Sequence, residues 1–430
     1  MKKTVLLGIV LALALGPGLM AQTAGTIGAS TPSMKNTATG GLWGNDMDNV
    51  QDVNDWQDVE FDKFFGFLAG GGWNNNNIPF VSGGFAKNFG PLYLGIFYSG
   101  SLVSGSTVEE VDAAGDRADA PATDNGLTFT DTLYILAGTP VGGFKLGILS
   151  NFRTDEDKDD AAGKTEEKDG RLGLGLIWGK NFEVGPGILK PEAGILYGFN
   201  LSETKVTNTA GDSVTTRGGY APLQFLLRGD YVFPENGGRQ SVISLSDVFE
   251  YQIFPDPLQE NSVSDFTMNR TGKAWNNNVT LGFKRTYEID EKFSVAWNVQ
   301  GNFYYSSENT DQETKNPDTE IDGDTTTFVL LVPSARLGFV YHFVPDRFDL
   351  YGYAGAQFHF ERIKESANAD NDDSSTTTTR LSGLQPLVGL GGTLQIHPMA
   401  AFDFSLNAST SPGGRFVISP TVTASVIIRN

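Results

Sequence analysis

Polar and apolar side chains alternate along much of this chain. In residues 293–305, FSVAWNVQGNFYY, the apolar side chains stand at 293, 295, 297, 299, 303 and 305, and polar ones stand at 294, 298, 300 and 302. A period of two predicts an extended strand with one apolar and one polar face. A soluble sheet would bury the apolar face in a core, whereas a membrane barrel turns it toward lipid.

Short turn segments separate the alternating runs about every 50 residues. They contain Gly, Pro or charged residues and lie near Gly90, Pro140, Val184, Pro234, Asp290, Pro345 and His397. Seven turn-linked pairs plus one strand at each end predict about sixteen strands, or fourteen if a boundary between residues 61 and 90 is misplaced. An even number returns both ends of a barrel to the same side of the membrane.

These features predict an all-β fold over residues 61–430, namely a single transmembrane antiparallel up-and-down β-barrel. Short turns would lie at the periplasmic rim and long acidic loops at the extracellular rim. The runs of about ten residues or more are long enough to cross a bilayer, whereas strands of a β-sandwich usually have about five or six. A β-propeller fits less well because each period holds two strands rather than the four of a blade.

The first 60 residues have a different composition from the rest. Lys2 and Lys3 precede an apolar run, so residues 1–21 are interpreted as a secretory signal peptide. Residues 22–60 are interpreted as a periplasmic arm or as a hatch folded into the lumen. A loose calcium site there is less favoured because the spacing matches no EF-hand. Its acidic and aromatic side chains include Asp46, Asp48, Asp52, Asp55 and Trp56.

Charge is concentrated in six polar segments between the strands. Residues 104–125, 155–169, 202–213, 255–272, 308–324 and 364–379 together carry about −22 charges, against −20 for the whole chain. Such an acidic surface argues against nucleic-acid partners, and these segments are expected to bind divalent cations loosely.

Catalytic chemistry has little support in the sequence. The chain has no cysteine and three histidines, so thiolate chemistry and disulfides are excluded. His359 beside Glu361 could activate water, but a single histidine at a rim is more often structural. No catalytic motif is present. We therefore expect no enzyme activity, no cofactor and no dedicated metal centre.

If the apolar face meets lipid, the polar face places charges of both signs in the lumen. The predicted lumen-lining residues are Lys145, Arg153, Lys190, Glu192, Arg228, Asp230, Lys284, Glu288, Arg336, His342, Asp349 and Glu361. They either select small polar solutes in a hydrated pore or pair with each other across the lumen and brace a partly filled barrel. About sixteen strands leave room for water, which favours a channel. Asp247 and Arg285 fall on the lipid-facing side, where bulges or rim positions are expected.

The signal peptide, the alternating runs and the unequal turns resemble those of Gram-negative outer-membrane β-barrels of the porin-like class. The chain departs from their common pattern because it ends in Asn430 rather than an aromatic residue. Strand prolines are a second resemblance, since each requires a bulge or kink. The pattern of FadL-like transporters of hydrophobic substrates, which have fourteen strands, an N-terminal hatch and openings in the wall, is faintly similar to that of Pro191, Pro222, Pro333, Pro386 and Pro420. Tolerated bulges near the rim are the favoured alternative for these prolines.

The sequence thus predicts an outer-membrane channel that passes small polar solutes and has membrane lipid as its surroundings. Two alternatives remain open: a FadL-like hydrophobic-substrate transporter with an N-terminal hatch, and a surface adhesin or structural barrel. Trimers are the natural state for a sixteen-stranded porin, although nothing in the sequence specifies an interface.

Overall fold

The computed structural model describes residues 42–43, 64–70, 80–89, 92–104, 127–139, 141–159, 163–207, 213–253, 259–261, 266–315, 319–321, 325–344, 347–369, 372–397, 400–410 and 416–429. Every regular element in these ranges is a β-strand. The strands are β1 (Phe64–Gly70), β2 (Phe80–Asn88), β3 (Tyr93–Ser104), β4 (Leu127–Thr139), β5 (Gly142–Asp159), β6 (Gly163–Gly179), β7 (Phe182–Val184), β8 (Gly187–Thr207), β9 (Ser213–Val232), β10 (Arg239–Ile253), β11 (Gln259–Asn261), β12 (Phe266–Asp290), β13 (Phe293–Lys315), β14 (Thr319–Ile321), β15 (Thr325–Val344), β16 (Phe348–Gln357), β17 (Phe360–Ala369), β18 (Asp372–Leu381), β19 (Gln385–His397), β20 (Ala400–Thr410) and β21 (Phe416–Arg429). No helix long and apolar enough to span a membrane occurs in these ranges.

The strands pair antiparallel in one ring. β1 pairs with β2 on one side and with β21, the last strand, on the other. The short strands β7, β11 and β14 pair with the same neighbours as β6, β10 and β15, so each is an extension of that longer strand after a break. β16 with β17, and β18 with β19, likewise form two interrupted lines. When each interrupted strand is counted once, the described residues form sixteen barrel strands. The predicted up-and-down antiparallel barrel is confirmed.

The large apolar side chains lie on the open face of this ring. On β3, Leu94, Ile96 and Tyr98 are 38%, 41% and 42% exposed, whereas Phe97 between them is fully buried. The same alternation occurs on β9, where Phe225 and Leu227 are exposed and Gln224 is buried. A closed ring has one enclosed face, which is the less accessible one. The apolar face is therefore the outer surface.

Aromatic rings lie on the outer surface at two levels. Near the extracellular side, Phe225, Phe249, Trp275 and Tyr305 form a row across four strands, with successive ring centroids 6.4, 5.9 and 4.8 Å apart. Near the turns, a second group of ring contacts joins Phe293, Phe339, Tyr341, Phe343 and Phe348. An apolar outer band between two aromatic levels is the surface of a transmembrane barrel. The described residues therefore form a transmembrane β-barrel.

Strands extend further into the polar segments than the sequence pattern suggested. β5 and β6 remain paired up to Asp159 and Gly163, inside the segment assigned to a loop. β12 and β13 have 25 and 23 residues, well beyond the roughly ten needed to cross a bilayer. Much of the acidic polar segments therefore forms paired β-hairpins that project from the membrane. Thr, Ser and opposite charges stabilise cross-strand pairs without any apolar alternation.

Most of the strand prolines coincide with interruptions in the pairing, as the missing N–H requires. Pro191 accepts a hydrogen bond from Lys180, in the gap between β6 and β7. Pro333 accepts one from Phe358, in the gap between β16 and β17. Pro222 lies in a gap of two pairs in the β8–β9 ladder, and Pro386 is the second residue of β19 after a gap. Pro420, in contrast, pairs with Leu406 in continuous register.

Candidate functional site: the enclosed face of the barrel

Register and burial locate the predicted lumen-lining residues. Lys145, Lys190, Glu192, Arg228, Asp230, Lys284, Glu288, Arg336, His342, Asp349 and Glu361 all occupy positions of the enclosed face. The register also assigns Arg153 to the enclosed face, where it pairs with Asp169, but nothing is described of its side chain. Asp46, Asp48, Asp52, Asp55 and Trp56 also lie outside the described part of the chain.

Opposite charges face each other on β8 and β9. Lys190 is the cross-strand partner of Asp230, and Glu192 is that of Arg228. Arg228 Nε donates a hydrogen bond to Glu192 Oε2, and the side chains are 29% and 0% exposed respectively. This ion pair joins neighbouring strands of the wall, whereas the structural alternative expected pairs that cross the lumen.

Glycines lie between Lys145 and Glu192 on the enclosed face. Glu192 lies opposite Gly179, which lies opposite Gly143, two residues from Lys145 on β5. Glycines leave space on the enclosed face for long charged side chains, and Lys145 is only 2% exposed. Lys145 and Glu192 are thus both buried on the enclosed face, with β6 between their strands.

A second group on the enclosed face surrounds a buried carboxylate, Glu250. Gln224 Nε2 donates to Glu250 Oε2, while Gln252 Nε2 and Asn276 Nδ2 donate to Glu250 Oε1 at 2.8 and 3.0 Å. Glu250 is 7% exposed. Three amide donors satisfy the carboxylate and leave each amide oxygen as an acceptor.

Amide side chains continue this wall on β12 and β13. Asn302 Nδ2 donates to Asn278 Oδ1 at 2.6 Å and lies 2.9 Å from Thr280 Oγ1. Asn298 and Gln300 occupy enclosed positions of the same strand as Asn302. We call the side chains of Gln224, Glu250, Gln252, Asn276, Asn278, Asn298, Gln300 and Asn302 the amide wall. The amide wall was not predicted as a site, although the repeated Asn and Gln at alternate positions of the sequence were a signal that could have indicated it.

The enclosed face of β2–β6 is different in chemistry. Ala86, Phe97, Leu136 and Ile177 are buried there, at 0%, 0%, 1% and 4% exposure. A Cβ at Gly84 would lie 2.3 Å from Phe97 Cδ1, so the phenyl ring lies directly over the glycine. The interior thus has a glycine-rich side whose named buried side chains are apolar except for Lys145, which lies between Leu136 and Ile177, and a separate amide side.

Two residues of the N-terminal segment also contact the enclosed face. Leu42 is 1% exposed, and a Cβ at Gly338 would lie 2.6 Å from Leu42 Cδ1 and 3.2 Å from Trp43 Cζ3. Trp43 packs against the buried pair Val340 and Tyr351. Gly338 therefore provides the space in which this dipeptide lies against β15.

Hydrogen bonds fix the wall beneath Trp43. Tyr351 Oη lies 3.3 Å from Thr393 Oγ1, which donates to Asp403 Oδ1 at 2.5 Å. On the next strand pair, His342 Nδ1 lies 2.6 Å from Asp349 Oδ1. These contacts connect β15, β16, β19 and β20 across their enclosed faces and hold Tyr351 in place against Trp43.

Asp247 and Arg285 lie on the outer face. The β10–β12 register runs without a shift from Arg239 to Gln252, so the bulge expected at Asp247 is absent and that expectation was wrong. Arg285 is near the turn rim, where its guanidinium carbon lies 5.3 Å from the centre of the Tyr287 ring. A rim position therefore explains Arg285, but Asp247 is the ninth residue of a fifteen-residue strand.

The surroundings of His359 do not resemble a catalytic centre. His359 Nε2 lies 2.9 Å from the Gln357 amide nitrogen, and Glu361 forms a 3.7 Å ion pair with Arg380. Within the described ranges, no three His, Cys, Asp or Glu side chains are grouped so that they could hold a metal ion. The tips of the acidic hairpins lie outside those ranges.

Comparisons with known proteins give only distant similarities. No family model matches the sequence, and no curated protein matches it. The chain is similar to the ferric yersiniabactin uptake receptor FyuA of Yersinia pestis, with 6% identity, a TM-score of 0.39, and coverage of 86% of this chain and 81% of that one. It is similar to the toluene transporter TbuX of Ralstonia pickettii, with 9% identity, a TM-score of 0.36 and coverage of 92% and 97%. It is also similar to the monoaromatic hydrocarbon channel CymD, with 13% identity, a TM-score of 0.35 and coverage of 92% and 96%. Similarities at this level carry no argument about substrate or mechanism.

Proposed function

We propose that the barrel is an outer-membrane channel for small polar solutes. The observation that supports this most directly is the polar chemistry of the enclosed face, above all the amide wall on β9–β13. Asn and Gln offer both donors and acceptors, so a wall of them can exchange hydrogen bonds with a passing solute that leaves its water.

The charges on the enclosed face favour neutral solutes over ions of one sign. Glu192 and Arg228 neutralise each other as neighbours, and Glu250 is covered by three amide donors. Acidic and basic side chains are otherwise interspersed, so the described side chains of the enclosed face form no single-sign ring of the kind that selects ions. Small polyols and sugars fit this lining best.

Leu42 and Trp43 are part of this proposal. Since they pack against Gly338, Val340 and Tyr351 on the enclosed face, we infer that Leu42 and Trp43 narrow the channel, as the hatch interpretation of residues 22–60 expects. Transport then depends on the width that remains or on displacement of the hatch.

Ion conductance in planar lipid bilayers tests the proposal. Refolded protein is expected to give discrete conductance steps, and the double variant Leu42→Ala/Trp43→Ala is expected to conduct more because the hatch loses its contacts. Trp297→Ala is the matched control, since Trp297 lies on the outer face and its loss should leave conductance unchanged. Complete absence of conductance in all three proteins would refute the channel.

A hydrophobic-substrate transporter of the FadL-like type is the second candidate. The apolar enclosed side formed by Phe97, Leu136 and Ile177 favours it, together with the buried Leu42. This alternative predicts negligible ion conductance and saturable binding of a fluorescent long-chain fatty acid, with binding weakened by Phe97→Asn. Liposome swelling in a small sugar such as arabinose separates the two, because only the polar channel admits the sugar.

A further inference from the structure

Two arginines share one aromatic ring on the outer surface near the turns. The guanidinium carbons of Arg239 on β10 and Arg285 on β12 lie 5.8 and 5.3 Å from the centre of the Tyr287 ring. Arg239 is the cross-strand partner of Tyr287, and Arg285 is two residues before Tyr287 on the same face of β12. Two positive charges are therefore held next to each other around a single ring.

This arginine pair lies at the depth of the lipid headgroups. Tyr287 is the cross-strand partner of Val295, which pairs with Phe339 of the turn-side ring group, and rings at such a level border the headgroups. Arg285 is one step deeper along its strand, but its guanidinium lies over Tyr287, so the long side chain reaches back toward the turn rim. The acidic hairpins project from the opposite rim, and these headgroups are therefore those of the periplasmic leaflet.

Within the described part of the chain, no acidic side chain forms an ion pair with either arginine. Glu288 on β12 has the opposite parity and occupies the enclosed face. The carboxylate of Asp290 accepts two backbone hydrogen bonds at the turn, at 2.7 and 2.8 Å. Arg239 is exposed and Arg285 is partly exposed. The headgroup region can therefore reach the terminal N–H groups of both.

We propose that Arg239 and Arg285 form a site for the phosphate of an anionic phospholipid in the periplasmic leaflet. Two neighbouring guanidinium groups repel each other, and a phosphate between them replaces that repulsion with charge-assisted hydrogen bonds. Tyr287 already holds both groups by cation–π contact, so less side-chain freedom is lost when the phosphate binds. The site does not depend on which solute passes through the lumen.

The surface next to the arginine pair accommodates the acyl chains of such a lipid. Ile243 and Leu245 on β10 and Leu281 on β12 are 40%, 44% and 58% exposed on the outer face, on the hydrocarbon side of the two arginines. Phosphatidylglycerol carries a neutral glycerol beyond its phosphate, whereas phosphatidylcholine carries a cation that the arginines repel. The site is therefore expected to prefer phosphatidylglycerol, and contact with the chains distinguishes it from a site for free phosphate.

Native mass spectrometry of the full-length protein tests the site, with equal amounts of phosphatidylglycerol and phosphatidylcholine added in a non-ionic detergent. Arg239→Gln/Arg285→Gln removes the pair. Lys87→Gln/Lys180→Gln is the matched control, because it removes two charges from the same rim, where each lysine lies over a ring of its own at 5.0 and 5.7 Å.

The parent and the lysine variant are expected to retain one phosphatidylglycerol several times more often than phosphatidylcholine. The arginine variant is expected to bind phosphatidylglycerol about tenfold more weakly, which corresponds to about 1.4 kcal/mol. Equal retention of the two lipids by the parent, or equal loss in the two variants, would overturn the proposal.

A second measurement separates a lipid site from a site for free phosphate. Phosphatidylglycerol added to the detergent is expected to raise the gel-shift temperature of the parent and of the lysine variant, but not that of the arginine variant. Inorganic phosphate at the same concentration is expected to leave all three unchanged. Migration of the unheated arginine variant as a folded barrel shows that its fold is intact. Protection of the parent by inorganic phosphate as large as that by the lipid would overturn the assignment to a phospholipid.

Discussion

Leu281 and Gly282 are consecutive residues of β12 that face lipid and lumen respectively, and an arginine at each gives opposite predictions. Leu281 is 58% exposed on the outer face. It is six residues from Trp275 and six from Tyr287, about 20 Å along the strand in each direction. Leu281 is therefore close to the bilayer midplane. On the enclosed side, a Cβ at Gly282 would lie 3.9 Å from Ser244 Cβ and 4.0 Å from the Val299 carbonyl oxygen, its nearest neighbours. There is therefore room for a larger side chain.

Leu281→Arg is expected to lower the free energy of unfolding by about 2 to 4 kcal/mol, the cost of an arginine on the lipid face at midplane. Gly282→Arg points into water and is expected to change it by about 0.5 kcal/mol or less, as for a substitution without new burial. The measurement is reversible urea unfolding in phospholipid vesicles followed by tryptophan fluorescence. If Leu281→Arg is as stable as the parent protein while Gly282→Arg is not, the assignment of the two faces is reversed and the reasoning fails.

Three further predictions concern the enclosed face. Arg228→Ala leaves the buried Glu192 without its guanidinium partner and is expected to cost about 2 to 3 kcal/mol, most of which Glu192→Gln in the same protein should restore; additive losses in urea unfolding would contradict the pairing. Glu250→Gln removes one charge and an acceptor shared by three amides, so we expect a loss of about 1 to 3 kcal/mol and a shift of the reversal potential toward anions in a KCl gradient; a channel with unchanged selectivity and stability argues against the amide wall. Gly84→Ala puts a Cβ 2.3 Å from Phe97 Cδ1 and 2.6 Å from the Ile96 carbonyl oxygen and should cost about 1 to 3 kcal/mol, whereas Gly301→Ala, with nothing within 4 Å, should be nearly neutral; equal gel-shift temperatures for the two would contradict this packing.

The sequence predicted the barrel because the lipid-facing surface leaves a direct trace. Every second side chain of a membrane-spanning strand faces lipid and must be apolar. The outward orientation of Leu94, Ile96 and Tyr98 can therefore be predicted from the sequence alone. The turns could be counted for the same reason, since Gly and Pro mark them at regular spacing. Gly185, in the turn between β7 and β8, has a φ of 60°, a backbone conformation that glycine adopts more readily than other residues.

Polar hairpins outside the membrane leave no such trace. The pairing of β5 with β6 continues through Asp155 and Glu167, where both faces meet water and no alternation is required. Loops and paired strands then have the same composition, so the sequence could not distinguish them.

The candidate site was only partly readable from the sequence. Parity alone assigns Lys145, Glu192 and Arg228 to the enclosed face once the outer face is known. The convergence of Gln224, Gln252 and Asn276 on Glu250 depends on the stagger between β9, β10 and β12, which a single sequence does not contain. The contact of Trp43 with Tyr351 likewise joins residues about 300 positions apart and carries no local signal.

The apolar side chains of each strand face lipid, while the side chains between them face the enclosed space. Spin labels placed one at a time at positions 295 to 303 of β13, in protein reconstituted in vesicles, measure this directly through collision with oxygen and with a water-soluble nickel chelate. We predict that oxygen contact peaks at the odd positions, with Trp297 and Val299 among them, and that nickel contact peaks at the even positions Asn298, Gln300 and Asn302. A profile without this period of two, or with its phase reversed, would contradict the account.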